Sequence, residues 1–254
     1  MPTKMTRSGP RLPLGLPEVL VAVHSCCLSC RKAGKPRIFT SDRELSGESR
    51  LKLSWKMAAQ ILKDQIWAFK SRPGRLYALL AAPRGGVCAE VGVWAGDFSA
   101  RIVQLRKPSE LHLIDPWQFV PSLPGRMYGG SVASSQAYMD DLMASVVDRF
   151  AGNTSVKIHQ STSIDAAKHF HDGYFDWVYL DGDHSYEAVL ADLGAWFPKV
   201  KIGGKIVCDD YTWIDETRTR SVKAAVDTFL EAHPGHKGRL IFGQYLIRKM
   251  YVGN

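Results

Sequence analysis

The chain has 254 residues and a formal net charge of +8, with 45% hydrophobic and 23% charged residues. This balance is close to ordinary globular usage and excludes wholesale disorder and a fibrous repeat. The length suits one large α/β domain, or a domain of about 150 to 200 residues with an appendage.

The positive charge is concentrated at the start of the chain. Residues 1–50 contain nine Lys or Arg against four acids. They lack sustained periodicity, which predicts a basic, poorly ordered extension. No helix-turn-helix, RRM or zinc-finger pattern accompanies these basic residues, so we expect no nucleic-acid partner. The most apolar stretch carries Glu18, His24 and two prolines, so we also expect no membrane span.

The five cysteines predict no disulfide framework, because an odd count argues against a secreted scaffold. Cys26, Cys27 and Cys30 lie close together, but no second pair of ligands follows to complete a structural zinc site. We therefore expect a cytoplasmic protein. An organellar transit peptide stays open as an alternative, because the first 17 residues are basic and lack acids. Homo-oligomerisation is also left open.

The order of apolar runs predicts the elements of the fold. From Leu51, helical spacing predicts a helix over 51–71, ended by the "RPG" of Arg72–Gly74. After Pro83 the predicted strands lie in "GVCAEVGV", "ELHLIDPW", "SVKIHQS", "FDWVYLDGD", "GGKIVCDDY" and "RLIFGQYLIRK". The predicted helices between them are Phe98–Leu105, Ser134–Phe150, Ser163–Phe170, Ser185–Phe197 and Ser221–Ala232.

Strands that alternate with helices are typical of βαβ units. They predict an α/β fold in which a mostly parallel sheet is covered by helices on both faces. In such sheets, ligands bind beyond the carboxyl ends of the strands. That rule selects the segments Glu90–Gly96, Asp115–Trp117, Ser161–Ser163, Asp181–His184 and Asp209–Trp213 as the candidate site.

The first two strand ends have features of a nucleoside-binding site. Gly92 and Gly96 surround a turn that leads into a helix, where glycine lets a ligand approach the backbone and the helix start supplies N–H groups. Asp115 ends the second strand, 19 positions beyond Gly96, where a carboxylate can accept hydrogen bonds from both hydroxyls of a ribose. Glu90 would repel a pyrophosphate and suits a cationic or amino-bearing ligand.

The pattern E-x-G-x-x-x-G from Glu90 to Gly96, followed by a strand-terminal acid, resembles motif I and the ribose acid of class I S-adenosylmethionine-dependent methyltransferases. The resemblance covers about Pro83 to the C-terminus, within a domain assigned to 51–254. It implies a Rossmann-like, mostly parallel seven-stranded sheet with a reversed C-terminal edge hairpin, and S-adenosylmethionine as cofactor. The cofactor-binding residues that it implies are Glu90, Gly92, Gly96, Asp115, Ser161 and Ser163.

Asp181, Asp209 and Asp210 follow two strands that should be neighbours in the sheet. Three converging carboxylates repel one another unless a cation neutralises them, and their oxygens suit Mg²⁺, Mn²⁺ or Ca²⁺. The arrangement resembles the metal-dependent O-methyltransferases of catechols, caffeoyl-CoA and natural-product sugars. That resemblance implies that the three acids bind Mg²⁺ or another divalent cation. A structural explanation of the acids remains an alternative.

His184 stands where catechol-type members of that group have a catalytic lysine. A neutral imidazole can take the proton of an acceptor hydroxyl near neutral pH, so we expect His184 to be the catalytic base. The alternative is that His184 only begins a helix. Asp183 is interpreted as a cap of the helix that begins near Ser185, in preference to a ligand.

The acceptor is predicted from the loops. The segment "IDPWQFVPSLPGRMYGG" has the composition of a substrate loop, and Trp117, Tyr128, Tyr211 and Trp213 either line an acceptor pocket or pack the loops. The phrases "DPW" and "DGDHSYEAVLADL" resemble macrocin-type and other sugar O-methyltransferases, which implies a hydroxylated small molecule such as a sugar as acceptor. Two alternatives stay open, namely a hydroxylase of the cephalosporin-hydroxylase type and a non-catalytic cofactor-binding protein.

Overall fold

The computed structural model describes residues 72–122, 126–215 and 218–252. The predicted extension over 1–50 and the predicted helix over 51–71 lie outside these residues. In chain order the elements are α1 (Arg72–Ala81), β1 (Val87–Val91), α2 (Asp97–Arg106), β2 (Glu110–Asp115), a 3-10 turn (Met127–Gly129), α3 (Gln136–Arg149), β3 (Val156–Gln160), α4 (Ser163–Ala167), β4 (Phe175–Leu180), α5 (Tyr186–Trp196), β5 (Val200–Cys208), α6 (Ser221–Ala232), β6 (Lys237–Ile241) and β7 (Gln244–Arg248).

The seven strands form one sheet in the order β3-β2-β1-β4-β5-β7-β6. The pairs among β3, β2, β1, β4 and β5 are parallel. The pairs β5–β7 and β7–β6 are antiparallel. The predicted α/β fold with a reversed edge hairpin is therefore confirmed. The chain order reverses between β1 and β4, which is the type of position where ligands bind in open sheets of this kind.

The sheet has a core on each face because side chains of a strand point alternately to the two sides. On one face, Ala89 and Val91 of β1 belong to a cluster with α4, α5 and α6. On the other face, Cys88 belongs to a cluster with α1, α2 and α3. Trp177 and Trp196 are fully buried, one in each cluster. The central strands are thus covered on both sides, as their continuous apolar runs predict.

Helix α1 was not predicted from the sequence. The sequence pattern assigned the "RPG" of Arg72–Gly74 only as the end of the helix over 51–71, whereas in the structure these residues are the first turn of α1. Proline is well tolerated in the first turn of a helix, because the N–H that it lacks has no partner there in any case. Ala78 and Leu79 bury the inner side of α1 against the sheet. This helix also contributes a side chain to the candidate site.

In the part of the chain that the structure describes, no helix is both long enough and apolar enough to cross a membrane.

Candidate active site

The carboxyl ends of β2, β1, β4 and β5 lie side by side at one edge of the sheet. We call Glu90, Gly92 and Asp115, at the ends of β1 and β2, the cofactor edge. We call Asp181, Asp209 and Asp210, which follow β4 and β5, the acid cluster. Neighbouring strands bring the two groups together, as the strand-end rule predicts.

Glu90 is buried, with 1% of its surface exposed. It lies on the face of β1 that packs on α2, where the Ser99 hydroxyl donates a hydrogen bond of 2.5 Å to Glu90 Oε2. Burial raises the pKa of Glu90 to about 8, against the opposing effect of the Ser99 hydrogen bond. A positively charged ligand would therefore gain most from the ionised form of this carboxyl.

Gly92 and Gly96 shape the turn after β1. Gly92 has a φ of 89°, and a Cβ atom there would lie 2.1 Å from the backbone oxygen of Asp181. Only glycine therefore allows the ends of β1 and β4 to meet so closely. Gly96 has a φ of 74° at the position before α2. The loop consequently delivers the N-terminus of α2 to the cofactor edge.

Asp115 is fully buried and accepts four hydrogen bonds. Its Oδ2 receives the backbone N–H groups of Val93 and Trp94, both at 2.9 Å, and the Tyr128 hydroxyl at 2.6 Å. Its Oδ1 receives the backbone N–H of Trp117 at 2.8 Å. Burial raises the pKa of Asp115 in spite of these donors. The carboxylate organises the loops around the predicted ribose position, and Tyr128 lies against it.

The two serines after β3 differ in their surroundings. Ser163 donates a hydrogen bond of 2.5 Å to Asp192 Oδ1 of α5 and accepts one of 2.8 Å from Trp196 Nε1. Ser161 is partly exposed, and its hydroxyl donates to the neighbouring Thr162 carbonyl. Ser163 therefore ties α4 to α5, whereas the Ser161 hydroxyl bonds within its own loop.

The acid cluster contains a cation from a distant part of the chain. Arg75 Nη2 lies 2.8 Å from Asp181 Oδ2 and 2.6 Å from Asp209 Oδ2, and Arg75 Nε lies 3.0 Å from the same Asp209 oxygen. The other Asp209 oxygen accepts hydrogen bonds from the Gln244 amide and the backbone N–H of Asp210. Arg75 thus links the two strand-end acids.

The three acids of the cluster differ in how readily they ionise. Burial opposes ionisation of Asp209, but Arg75 and the Gln244 hydrogen bond hold its pKa below the usual range. Burial and the neighbouring Asp209 raise the pKa of Asp181 well above the usual range, and they raise that of Asp210 to about 7. Ionisation is therefore favoured at Asp209 and opposed by burial and by Asp209 at Asp181 and Asp210.

The arrangement does not fit the predicted metal site. Arg75 contacts one oxygen of Asp181 and one of Asp209, so its guanidinium stands between the two acids that were predicted to hold a divalent ion. Among residues 72–122, 126–215 and 218–252, no group of three or more His, Cys, Asp or Glu side chains could hold a metal ion. Converging acids do need a cation, because their like charges repel one another. The described residues supply that cation as a guanidinium.

His184 lies at the rim of the acid cluster. Its Nε2 is 3.5 Å from Asp210 Oδ2 and 3.8 Å from Asp181 Oδ1, and its ring packs edge-on against Trp213 at 5.7 Å. Burial lowers the pKa of His184, with Asp209 opposing that effect in part. The imidazole is therefore neutral near pH 7 and able to accept a proton. A small cavity beside it is lined by residues that include Gly182, His184, Asp192 and Asp209.

Asp183 plays a local part that differs from the predicted helix cap. Its Oδ1 accepts the backbone N–H of Ser185 at 2.8 Å, which closes a turn. Ser185 itself caps α5 by accepting the backbone N–H of Ala188. Asp183 therefore supports the turn before the helix and lies outside the acid cluster.

The four aromatic residues considered for an acceptor pocket, Trp117, Tyr128, Tyr211 and Trp213, fall into two groups. Trp117 is fully buried, and its ring N–H donates to the Trp94 carbonyl, whereas Tyr211 is buried and stacks on Tyr245. These two pack the loops. Tyr128 belongs to the cofactor edge through Asp115, and Trp213 lies against His184. Only the last two are positioned to meet a ligand.

Sequence reasoning missed Arg75 and Gln244. Both act on Asp209, yet Arg75 is 134 positions away in the chain and Gln244 is 35 positions away. Gln244 is further held by the Tyr179 hydroxyl, which donates to its Oε1 at 2.8 Å. Neither residue belongs to a strand-end motif, so no local signal points to it.

Comparison with known proteins gives one family match, described as a methyltransferase domain, over residues 89–211. No curated protein sequence matches the chain. Similar solved structures include a Corynebacterium glutamicum protein, with 19% identity, a TM-score of 0.50 and coverage of 77% of this chain and 91% of that one. Another is the O-methyltransferase NovP, with 17% identity, a TM-score of 0.52 and coverage of 72% and 80%. A third is a provisionally assigned S-adenosyl-L-methionine-dependent methyltransferase from Methanococcus maripaludis, with 14% identity, a TM-score of 0.50 and coverage of 82% and 99%. At these identities the likeness concerns the fold alone.

Proposed function

We propose that this chain, whose residues 89–211 match a methyltransferase domain, uses S-adenosylmethionine to methylate a hydroxyl of a small molecule. The proposed acceptor is a sugar or a glycosylated metabolite. Support for this class of acceptor comes from the sugar O-methyltransferase resemblance of the "DPW" and "DGDHSYEAVLADL" segments. No step of the proposal runs through a metal ion.

The cofactor is proposed to bind at the cofactor edge. Glu90 would pair with the amino end of the methionine part, since this acid is buried and a cation favours its ionised form. Asp115 would bind the ribose, with Tyr128 giving up or sharing its 2.6 Å hydrogen bond. Ser161 would lie near adenine. These roles rest on motif position together with the contacts of each side chain.

The single observation that carries the proposal is the contact between the two halves of the site. Gly92 approaches the Asp181 backbone so closely that a Cβ atom would lie 2.1 Å from its oxygen. A methyl donor held over Gly92 would therefore face the residues that follow β4. Methyl transfer needs in-line positioning of sulfonium and nucleophile, and this proximity supports it.

His184 is the proposed base. When bound, S-adenosylmethionine would supply the methyl group and leave as a neutral thioether. The neutral Nε2 of His184 would take the proton of the acceptor hydroxyl, so charge and atoms would balance. General-base catalysis of this kind contributes about 10²- to 10⁴-fold to the rate.

Two measurements test the function. Isothermal titration should detect binding of S-adenosylmethionine and of its demethylated product, and absence of both overturns the assignment to this cofactor. Mass spectrometry on a panel of glycosides should then find a product in which a methyl group replaces a hydrogen. Transfer to a carbon or nitrogen acceptor, with none to oxygen, would contradict the proposed acceptor class.

The role of His184 has its own test with a matched control. His184→Ala should lower kcat by about 10²-fold or more while cofactor affinity stays unchanged. His171→Ala is the control, because His171 is an exposed histidine whose ring is hydrogen-bonded to the backbone carbonyl of its neighbour Asp172. Equal activity of the two variants would remove His184 from the mechanism.

A further inference from the structure

Arg75 occupies the position that a bridging ion would take in the acid cluster. One nitrogen, Nη2, lies within hydrogen-bond distance of oxygens from both Asp181 and Asp209, at 2.8 and 2.6 Å. A divalent cation bound between these two acids would need carboxylate oxygens at about 2.0 to 2.6 Å, in the space that the guanidinium fills. The guanidinium and such an ion therefore exclude one another.

The guanidinium is fixed in place by the packing of α1. Gly74 lets the helix approach the β6–β7 hairpin, since a Cβ atom there would lie 2.3 Å from the Phe242 carbonyl oxygen. At the other end of the helix, Lys205 Nζ donates to the Ala81 carbonyl at 2.7 Å. Only 20% of the Arg75 side chain is exposed, and its Cζ lies 5.7 Å from the centre of the Phe98 ring. Arg75 thus belongs to a packed helix, and most of its side chain is shielded from solvent.

We infer that Arg75 is the resident cation of the acid cluster, and that it positions Asp181 and Asp209 in the place of a divalent ion. The protein then needs no metal to hold these two acids together. A planar guanidinium with several fixed donors suits this task, because it binds carboxylate oxygens in a defined geometry.

Methyl transfer should therefore require no metal ion, an expectation that rests on the proposed function. Once an acceptor is known, the wild-type enzyme should keep its activity within twofold in the presence of EDTA. Arg75→Lys, which retains a positive charge but loses the planar fork, should lower kcat while activity stays insensitive to EDTA. Loss of wild-type activity in EDTA that added Mg²⁺ restores would overturn the inference.

Binding of Mn²⁺ gives a test that uses neither cofactor nor acceptor, so it stands apart from the proposed function. Electron paramagnetic resonance of free Mn²⁺ should show no uptake by the wild-type chain. Arg75→Ala removes the guanidinium and opens the space between the two carboxylates. This variant should bind one Mn²⁺ per chain where the wild type binds none, and addition of Asp209→Asn should abolish the binding.

Arg149→Ala is the matched control, because it removes an arginine from an exposed ion pair with Asp97. It should take up no Mn²⁺. Uptake of one Mn²⁺ by the wild type that Asp209→Asn removes would overturn the inference, as would a folded Arg75→Ala chain that binds none. If Arg75→Ala fails to fold, refolding is repeated with Mn²⁺ or Mg²⁺ present. Recovery of the native circular dichroism supports the inference, and no recovery contradicts it.

Discussion

The cofactor edge and the acid cluster both bury carboxylates at the ends of parallel strands, but different partners satisfy them. At the cofactor edge, Glu90 and Asp115 receive neutral donors, namely hydroxyls and backbone N–H groups. In the acid cluster, Asp209 and Asp181 share the guanidinium of Arg75. Carboxylates that receive only neutral donors can still pair with a positively charged ligand. The acid cluster already contains the positive charge of the Arg75 guanidinium.

The partners also differ in their distance along the chain. Asp115 is held by donors that lie 2 to 22 positions away, whereas Arg75 lies 106 positions from Asp181 and 134 from Asp209. The cofactor edge is therefore organised by local loops, and the acid cluster depends on the docking of α1. Four predictions test this contrast.

The largest effect is expected from Asp115→Ala. It leaves the backbone N–H groups of Val93, Trp94 and Trp117 and the Tyr128 hydroxyl without their acceptor, which should lower the free energy of unfolding by about 3 to 5 kcal/mol. Chemical denaturation measures the loss. Tyr128→Phe removes one donor only and should cost about 1 kcal/mol. Similar losses for the two variants would mean that Asp115 does not organise these loops.

Gly92→Ala should break the contact between the two halves of the site. Its φ is positive and the new Cβ would overlap the Asp181 carbonyl, so we expect a loss of about 2 to 4 kcal/mol. Gly152→Ala has a similar φ of 77° but no atom within 4 Å of the new Cβ, and it should cost only about 1 to 2 kcal/mol. Thermal unfolding of both variants measures the difference, and equal losses would show that the close approach contributes nothing.

Ser163→Ala should cost about 1 to 2 kcal/mol, because it leaves Trp196 Nε1 and Asp192 without a buried partner. Ser161→Ala should change stability by no more than about 0.5 kcal/mol. The same pair of variants separates stability from ligand binding, because calorimetric titration should show weaker cofactor binding for Ser161→Ala alone. A cofactor defect confined to Ser163→Ala would reverse this assignment.

The smallest effect concerns pH. Glu90 carries a proton near pH 7, because burial raises its pKa to about 8. Binding of an ammonium group favours the carboxylate and releases that proton, so cofactor affinity should rise with pH by at most about tenfold per unit and level off near the raised pKa. Calorimetry at several pH values measures this rise. Glu90→Gln should bind weakly with no such rise, and a flat profile for the wild type would contradict the role of Glu90.

The same pKa has a consequence for stability. The folded chain retains a proton on Glu90 at pH values where the unfolded chain has lost it. The contribution of Glu90 to the free energy of unfolding therefore falls as pH rises from about 4.5 to about 8.

Much of the fold could be predicted because its signals are local. Short apolar runs predicted the strands, and glycines, serines and amphipathic spacing located the helices between them. Helix α1, which begins with Arg72–Gly74, was not predicted, because proline suits both the position after a helix and the first turn of the next one. The sequence around Pro73 is compatible with either position.

The acids at the strand ends could be identified from the chain, since parallel strands bring their carboxyl ends to one edge and motif spacing gives the positions along each strand. What neutralises these acids depends on how the helices pack. Electrostatic repulsion among Asp181, Asp209 and Asp210 calls for a cation of some kind. Its identity depended on whether the packing of α1 brings Arg75 to that edge, and contacts formed across more than a hundred residues leave no local pattern in the chain.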